Sequence, residues 1–257
     1  MSYVVVCVTA LLASCLTFFS GFGLGTLLLP AFALFFPIHQ AVALTAVVHF
    51  LNGLFKLTLV GRHANRSVVF RFGLPALVAS FLGAWLLNRL SGLPAVYAYS
   101  AFDREWEVSP IKLVVGSLLL VFAAIELIPR LRDMTFPPRY LPLGGLLSGF
   151  FGGLSGMQGA LRSAFLARSG LTKEAFVGTG VVIACLIDAS RLGVYTTSVM
   201  KVRGDLDGPL LAAAVLSAFV GALVGNRYLK KTTMSGVQRL VAIMLLAVGA
   251  CLIAGIL

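Results

Sequence analysis

Charge is scarce in this 257-residue sequence: 11% of its residues are Asp, Glu, Lys or Arg, against about 25% in an ordinary soluble domain. Residues 3–36 hold none. Acids are scarcest, nine against 20 Lys and Arg. The basic residues lie mostly in short loops, with no charge run and no basic patch interleaved with aromatics, so a nucleic-acid partner is excluded. The four cysteines (Cys7, Cys15, Cys185, Cys251) stand singly in apolar stretches, which excludes a disulfide or metal-binding framework and leaves packing as their role. There is no HExxH, no pair of intramembrane aspartates and no Cys/His cluster. Neither an enzyme nor a resident cofactor is therefore expected. Leu12-Ala13-Ser14-Cys15 resembles a lipoprotein processing site. The residues before it lack a basic n-region, and the apolar stretch runs on to Pro37, so no cleavage is expected there.

Apolar residues fill the space that charge leaves. They make up 59% of the chain, with a mean hydropathy of +1.00. They fall in long blocks, and roughly 20 mainly apolar residues suffice for a helix to cross a bilayer. The fold class is an all-α polytopic membrane protein.

The blocks repeat. Ser20-Gly21 opens SGFGLGTLLLPAF, and Ser155-Gly156 opens SGMQGALRSAFLA 135 positions later. Thr45 matches Thr179 at an offset of 134, Asn88-Arg89 matches Asn226-Arg227 at 138, and Lys112-Leu113 matches Arg239-Leu240 at 127. The first repeat spans 1–136, with a hairpin at 3–36 and helices at 40–60, 72–90 and 110–128. The second spans 137–257, with a hairpin at 140–168 and helices at 175–199, 208–229 and 237–256. Each hairpin is a pair of helical arms meeting at glycines, and three transmembrane helices follow it.

Basic residues orient the chain. Loops 61–71, 129–139 and 162–174 hold three each and 227–239 holds four, against five in the alternate loops. Placing the richer set in the cytoplasm sets the two halves in opposite orientations: inverted repeats. Interrupted apolar segments at matching positions of two such halves point to a midplane site, although glycines also serve close helix packing.

Polar residues inside these blocks mark that site. On a helix turning 100° per residue, Thr45, His49, Asn52 and Lys56 share an arc of roughly 60°, and so do Asp188, Arg191 and Tyr195. The second hairpin adds Gln158, with Arg162 a turn further on. Intramembrane charges are costly and are functional-site hypotheses by default. Plainer readings exist for several. Lys56 could snorkel to the surface, Arg191 could be a structural partner of Asp188, and His49 could be a packed histidine. Glu126 reads as half of an interfacial ion pair with Arg130. The set offers cations, amides, hydroxyls and the backbone N–H groups of Gly21, Gly23 and Gly156, where half-helix N-termini favour anions. A planar guanidinium suits forked oxygens. The ligand expected is a small oxyanion.

The two glycine-rich hairpins, each followed by an A-x-x-x-T element (Ala41–Thr45 and Ala175–Thr179), resemble the TauE/SafE sulfite-exporter family over essentially the whole chain. In the second hairpin Gln158 replaces a glycine of the pattern, and Phe165 stands where the first has Pro30. The resemblance implies a permease of the bacterial cytoplasmic membrane that moves sulfite, sulfonates or related small organic acids.

The expected mechanism is alternating access between the halves. Lys56 and Arg191 neutralise the anion, while Asn52, Thr45, Thr179, Gln158 and Tyr195 orient it. Asp188 balances charge, and His49, as the side-chain type most suited to proton transfer, carries a coupling proton where uptake needs one. The alternatives are a membrane scaffold or assembly subunit without a substrate, and an intramembrane enzyme built on His49 and Asp188. Homo-oligomerisation is left open by the sequence.

Overall fold

Apolar residues Ser2–Leu16 form α1, and Leu24–Ala33 form α2. At 1.5 Å per residue these helices are about 22 and 15 Å long, short of the roughly 30 Å hydrocarbon core. The computed structural model describes residues 1–18, 23–101, 104–199, 208–228 and 235–257. Gly21, one of the glycines expected to offer its backbone N–H to the anion, lies outside that set. Gly23 caps α2 with φ of 113°, a left-handed conformation that glycine adopts without a Cβ penalty.

Three long helices follow: α3 (Ile38–Val60), α4 (Arg66–Ser91) and α5 (Pro110–Leu127). Asn65 starts α4 by accepting a hydrogen bond from Val68 N at 3.1 Å. Between α4 and α5 the chain makes a two-stranded antiparallel hairpin, β1 (Tyr97–Ala101) with β2 (Arg104–Val108). It is tied to the end of the chain by Tyr99, whose hydroxyl donates to Ala254 O at 2.6 Å. Beyond α5, Pro129 starts the short α6 (Pro129–Arg132).

A second hairpin then forms from α7 (Leu141–Ser155) and α8 (Gly159–Leu166), followed by α9 (Lys173–Val199), α10 (Gly208–Tyr228) and α11 (Ser235–Ile253). Five of the described helices are long and apolar enough to cross a bilayer: α3, α4, α5, α9 and α10. Of the second set of three expected spans, α11 is the shorter apolar helix.

Small residues decide which helices touch. Gly145, Gly149 and Gly153 of α7 recur every fourth position and lie directly against the backbone of Phe72, Ala76 and Ser80 of α4. Gly221 and Gly225 of α10 meet Leu11 and Cys15 of α1 in the same way. Without a hydrophobic drive between helices in lipid, such close backbone approach is what packs them. Their outer faces carry Phe81, Leu82, Trp85, Leu216 and Leu223, all exposed in the isolated chain, as lipid-facing positions should be. In the centre α3 packs on α9, and α5 on α11. The hairpin tips meet there: a Cβ at Gly25 would lie 3.3 Å from Gly156 O.

Candidate functional site

The polar faces of α3 and α9 converge on Asp188, which is fully buried. Its Oδ2 lies 2.6 Å from His49 Nδ1. Its Oδ1 accepts from Gln158 Nε2 at 3.2 Å and from Arg191 Nε at 2.9 Å. Arg191 Nη2 is 2.8 Å from the same oxygen but not aligned for a hydrogen bond. Arg191 Nη1 donates to Gly152 O at 3.4 Å. One carboxylate thus gathers three donors from α3, the α7–α8 turn and α9. Because Asp188 is an acceptor towards Arg191 and Gln158, the proton of the His49 contact sits on Nδ1. That leaves Nε2 as the nitrogen able to gain or lose one.

Beside this cluster is a small cavity of about 40 Å³. Its polar lining is His49, Asn52, Lys56, Thr17 and Arg162, and Phe18 and Leu24 close it from the first hairpin. No acidic side chain appears among the described residues that line it. Lys56 Nζ lies 5.3 Å from the centroid of the Phe18 ring and is 8% exposed, so it is buried rather than reaching for the surface. Asn52 accepts from Ser14 Oγ at 3.2 Å, which orients its amide towards α1. Arg162, 3% exposed, donates from Nη1 to Gln158 Oε1 at 3.1 Å. Gln158 therefore links the cavity's guanidinium to Asp188.

Of the residues singled out in the sequence, Lys56, Asn52 and His49 line the cavity, while Asp188, Gln158 and Arg191 form the wall behind it. Arg191 is fully buried, and a Cβ on Gly156 would come within 2.7 Å of its Nη1. Tyr195 donates its hydroxyl to Gly153 O, and Thr179 Oγ1 accepts from Asn65 N at 2.9 Å, at the start of α4. Neither reaches the cavity. Thr45 is buried near Gly25, and its Oγ1 has no hydrogen-bond partner. Gly23 and Gly156, both with positive φ, shape the two tips.

Arg162 is the cation that the loop count misassigned: it belongs to α8, inside the bundle, not to the basic loop 162–174. Its signal was its place four residues after Gln158, one helical turn. Glu126 is also placed differently. It is 7% exposed, and no ion pair joins it to Arg130 among the described residues.

The paired hairpins with their glycine tips and A-x-x-x-T elements are matched as a unit: the sulfite exporter TauE/SafE family model covers residues 6–252. The chain belongs to the TauE/SafE family. No curated protein matches it. As a TauE/SafE member it is a multi-pass protein of the inner membrane and a transporter of the anion-exporter type. In this TauE/SafE chain the two cations of the cavity stand on different hairpin-associated elements, Lys56 on α3 and Arg162 on α8.

Proposed function

We propose that this protein carries a small oxyanion, sulfite or a sulfonate, across the membrane, binding it between Lys56 and Arg162. The observation that carries this is a cavity lined by two buried cations, with no acid in its described lining. Two positive charges suit a ligand of charge one or two, and Asn52, whose Oδ1 is held by Ser14, can donate from Nδ2 to its oxygens. The guanidinium fork matches adjacent oxygens of a sulfite or sulfonate group. His49 contributes Nε2, so protonation there would strengthen anion binding. Arg191, Gln158 and Asp188 form the frame: they hold His49 and Arg162 in place without touching the anion.

Alternating access between inverted halves is the mechanism this packing favours. The crosswise contacts, α1 on α10 and α4 on α7, exchange under the proposed repeat, and the pairs α3–α9 and α5–α11 map onto themselves. The half-length arms α2 and α8 end near the centre, where irregular backbone is tolerated if it is buried or lines a cavity. An interior-negative potential drives an anion outward by about 2.3 kcal/mol per charge per 100 mV, so export needs no coupling ion.

Flux into proteoliposomes tests the proposal. Wild-type protein is offered sulfite, taurine, sulfoacetate and acetate, with and without a proton gradient. Saturable flux of a sulfur oxyanion, lost in a folded Lys56→Gln/Arg162→Gln variant, is expected. Equal flux in the variant would remove the cavity from the transport path.

A further inference from the structure

Glu126 lies in the last turn of α5, beside a second cavity separate from the first. Ile128 leaves the helix in an extended conformation (φ −87°, ψ 109°), and α6 restarts at Pro129, so the helical register that would bring Arg130 onto Glu126 is lost. Glu126 is more than nine-tenths buried, and its Oε2 has no hydrogen-bond partner. The cavity it lines has about 370 Å³ and lies between α5–α6 and α8, with Ile125, Leu161, Phe136 and Phe176 in its mainly apolar walls.

The other charged groups in that lining are Arg132 and Asp133, and they pair with each other: Arg132 Nε donates to Asp133 Oδ1 at 3.0 Å. This hydrogen bond holds the Asp133 carboxyl below its ordinary range. From α8 the lining receives Ser163 and no charge, from α9 only Phe176, and from α3, α4, α7 and α11 no ionisable side chain. A metal ion would want several oxygen ligands, and the described residues hold no group of three or more His, Cys, Asp or Glu. A proton needs only one ligand. Binding it removes the charge that burial disfavours and turns an unsatisfied acceptor into a hydroxyl donor.

The wall between the two cavities is α8. Ala160, Leu161, Ser163 and Ala164 line the Glu126 side, and Arg162 lines the anion side. Phe136 N donates to Ala164 O at 3.2 Å, and the Phe136 ring stacks on Phe165 at 4.3 Å, so the segment after α6 is fastened to that wall. We propose that Glu126 is a proton-binding site separate from the anion cavity, and that its protonation couples anion movement to the proton gradient. The first half stands on the geometry of Glu126. The second rests on the transport reading given above.

Two measurements separate the halves. Infrared difference spectra of purified protein in lipid vesicles, taken across a pH step, should show a protonated-carboxyl band that moves in D₂O. The band should be absent in Glu126→Gln and retained in Glu126→Asp. Identical spectra in wild type and a folded Glu126→Gln protein would overturn the site. In proteoliposomes, the stimulation of anion flux by a proton gradient should vanish in Glu126→Gln. Stimulation that persists in that variant, or that wild type never shows, would overturn the coupling. Absence of any anion flux from wild type would overturn the transport reading and the coupling with it, while the infrared band still decides the site.

Discussion

His49 Nδ1 of α3 lies 2.6 Å from Asp188 Oδ2 of α9, so the two central helices are joined through ionisable groups and not by packing alone. The same carboxylate holds Gln158 and Arg191. A cavity-lining histidine and a cavity-lining arginine are therefore referred to one buried anchor. Any motion that separates the α7–α8 turn from α3 must break contacts at Asp188.

Loss of the anchor should cost more than loss of the whole pair. Asp188→Asn leaves Arg191 buried without a counter-charge, which removal of one partner makes worth about 3–5 kcal/mol. Replacing both, as in Asp188→Leu with Arg191→Met, removes the buried charges together and should recover a large part of that loss. Thermal unfolding in detergent reads the difference. Equal melting of the single variant and wild type would mean that Asp188 does not balance Arg191.

Gly156 should be far less replaceable than Gly170, although both have positive φ, 82° and 67°. At Gly170 nothing lies within 4 Å of an added Cβ, whereas at Gly156 the Arg191 Nη1 atom is 2.7 Å away. Gly170→Ala should therefore cost only the left-handed penalty of about 1–2 kcal/mol. Gly156→Ala adds displacement of the guanidinium to that penalty. Melting temperatures of the two variants should separate clearly, and coincident values would argue against a fixed Arg191.

Most helix positions were legible in the sequence because a bilayer demands long apolar runs, and α3, α4, α5, α9 and α10 announce themselves that way. The site was legible in part. Lys56, His49, Asn52 and Asp188 are conspicuous where charge is otherwise absent. Helical periodicity gives the angle between residues on one helix but not which neighbour that face meets. Hence Arg191 and Tyr195 share the expected face of α9 but do not line the cavity: Arg191 pairs with Asp188 and reaches Gly152 O, and Tyr195 donates to Gly153 O. Arg162 is readable both as a hairpin residue one turn after Gln158 and as a member of the basic loop 162–174, because α8 is only eight residues long, too short for its periodicity to separate the helix from the loop that follows. The Glu126–Arg130 expectation assumed an unbroken helix, which Pro129 interrupts. β1 and β2 are five residues each, too short for a strand's alternation to stand out between two long apolar blocks.

Close packing of α4 on α7 predicts intolerance at Gly149. A Cβ there would run into the Ala76 backbone, and backbone cannot move aside as a side-chain tip can. Gly149→Val should force the helices apart and cost about 1–3 kcal/mol or more. Leu146→Ala, three residues away at a position 46% exposed, should change little. The yield of folded protein and its melting temperature test the contrast. Comparable losses at both positions would mean that the α4–α7 contact does not depend on glycine.

Lys56 and Arg162 should differ in what their loss does, because only one of them is part of the Asp188 network. Losing a charged hydrogen bond to a ligand is worth about 1.5–3 kcal/mol, roughly a ten- to hundred-fold rise in KM for the anion. Lys56→Gln should show that rise with melting temperature nearly unchanged, since its ammonium faces the Phe18 ring and the cavity. Arg162→Gln should show the same rise together with lower stability, because Gln158 Oε1 loses its donor and Asp188 loses a well-held neighbour. An unchanged KM in folded Lys56→Gln protein would place the anion away from α3. A KM effect confined to Arg162 would then put the anion against α8, beside the second hairpin tip, with Lys56 serving only the field of the cavity.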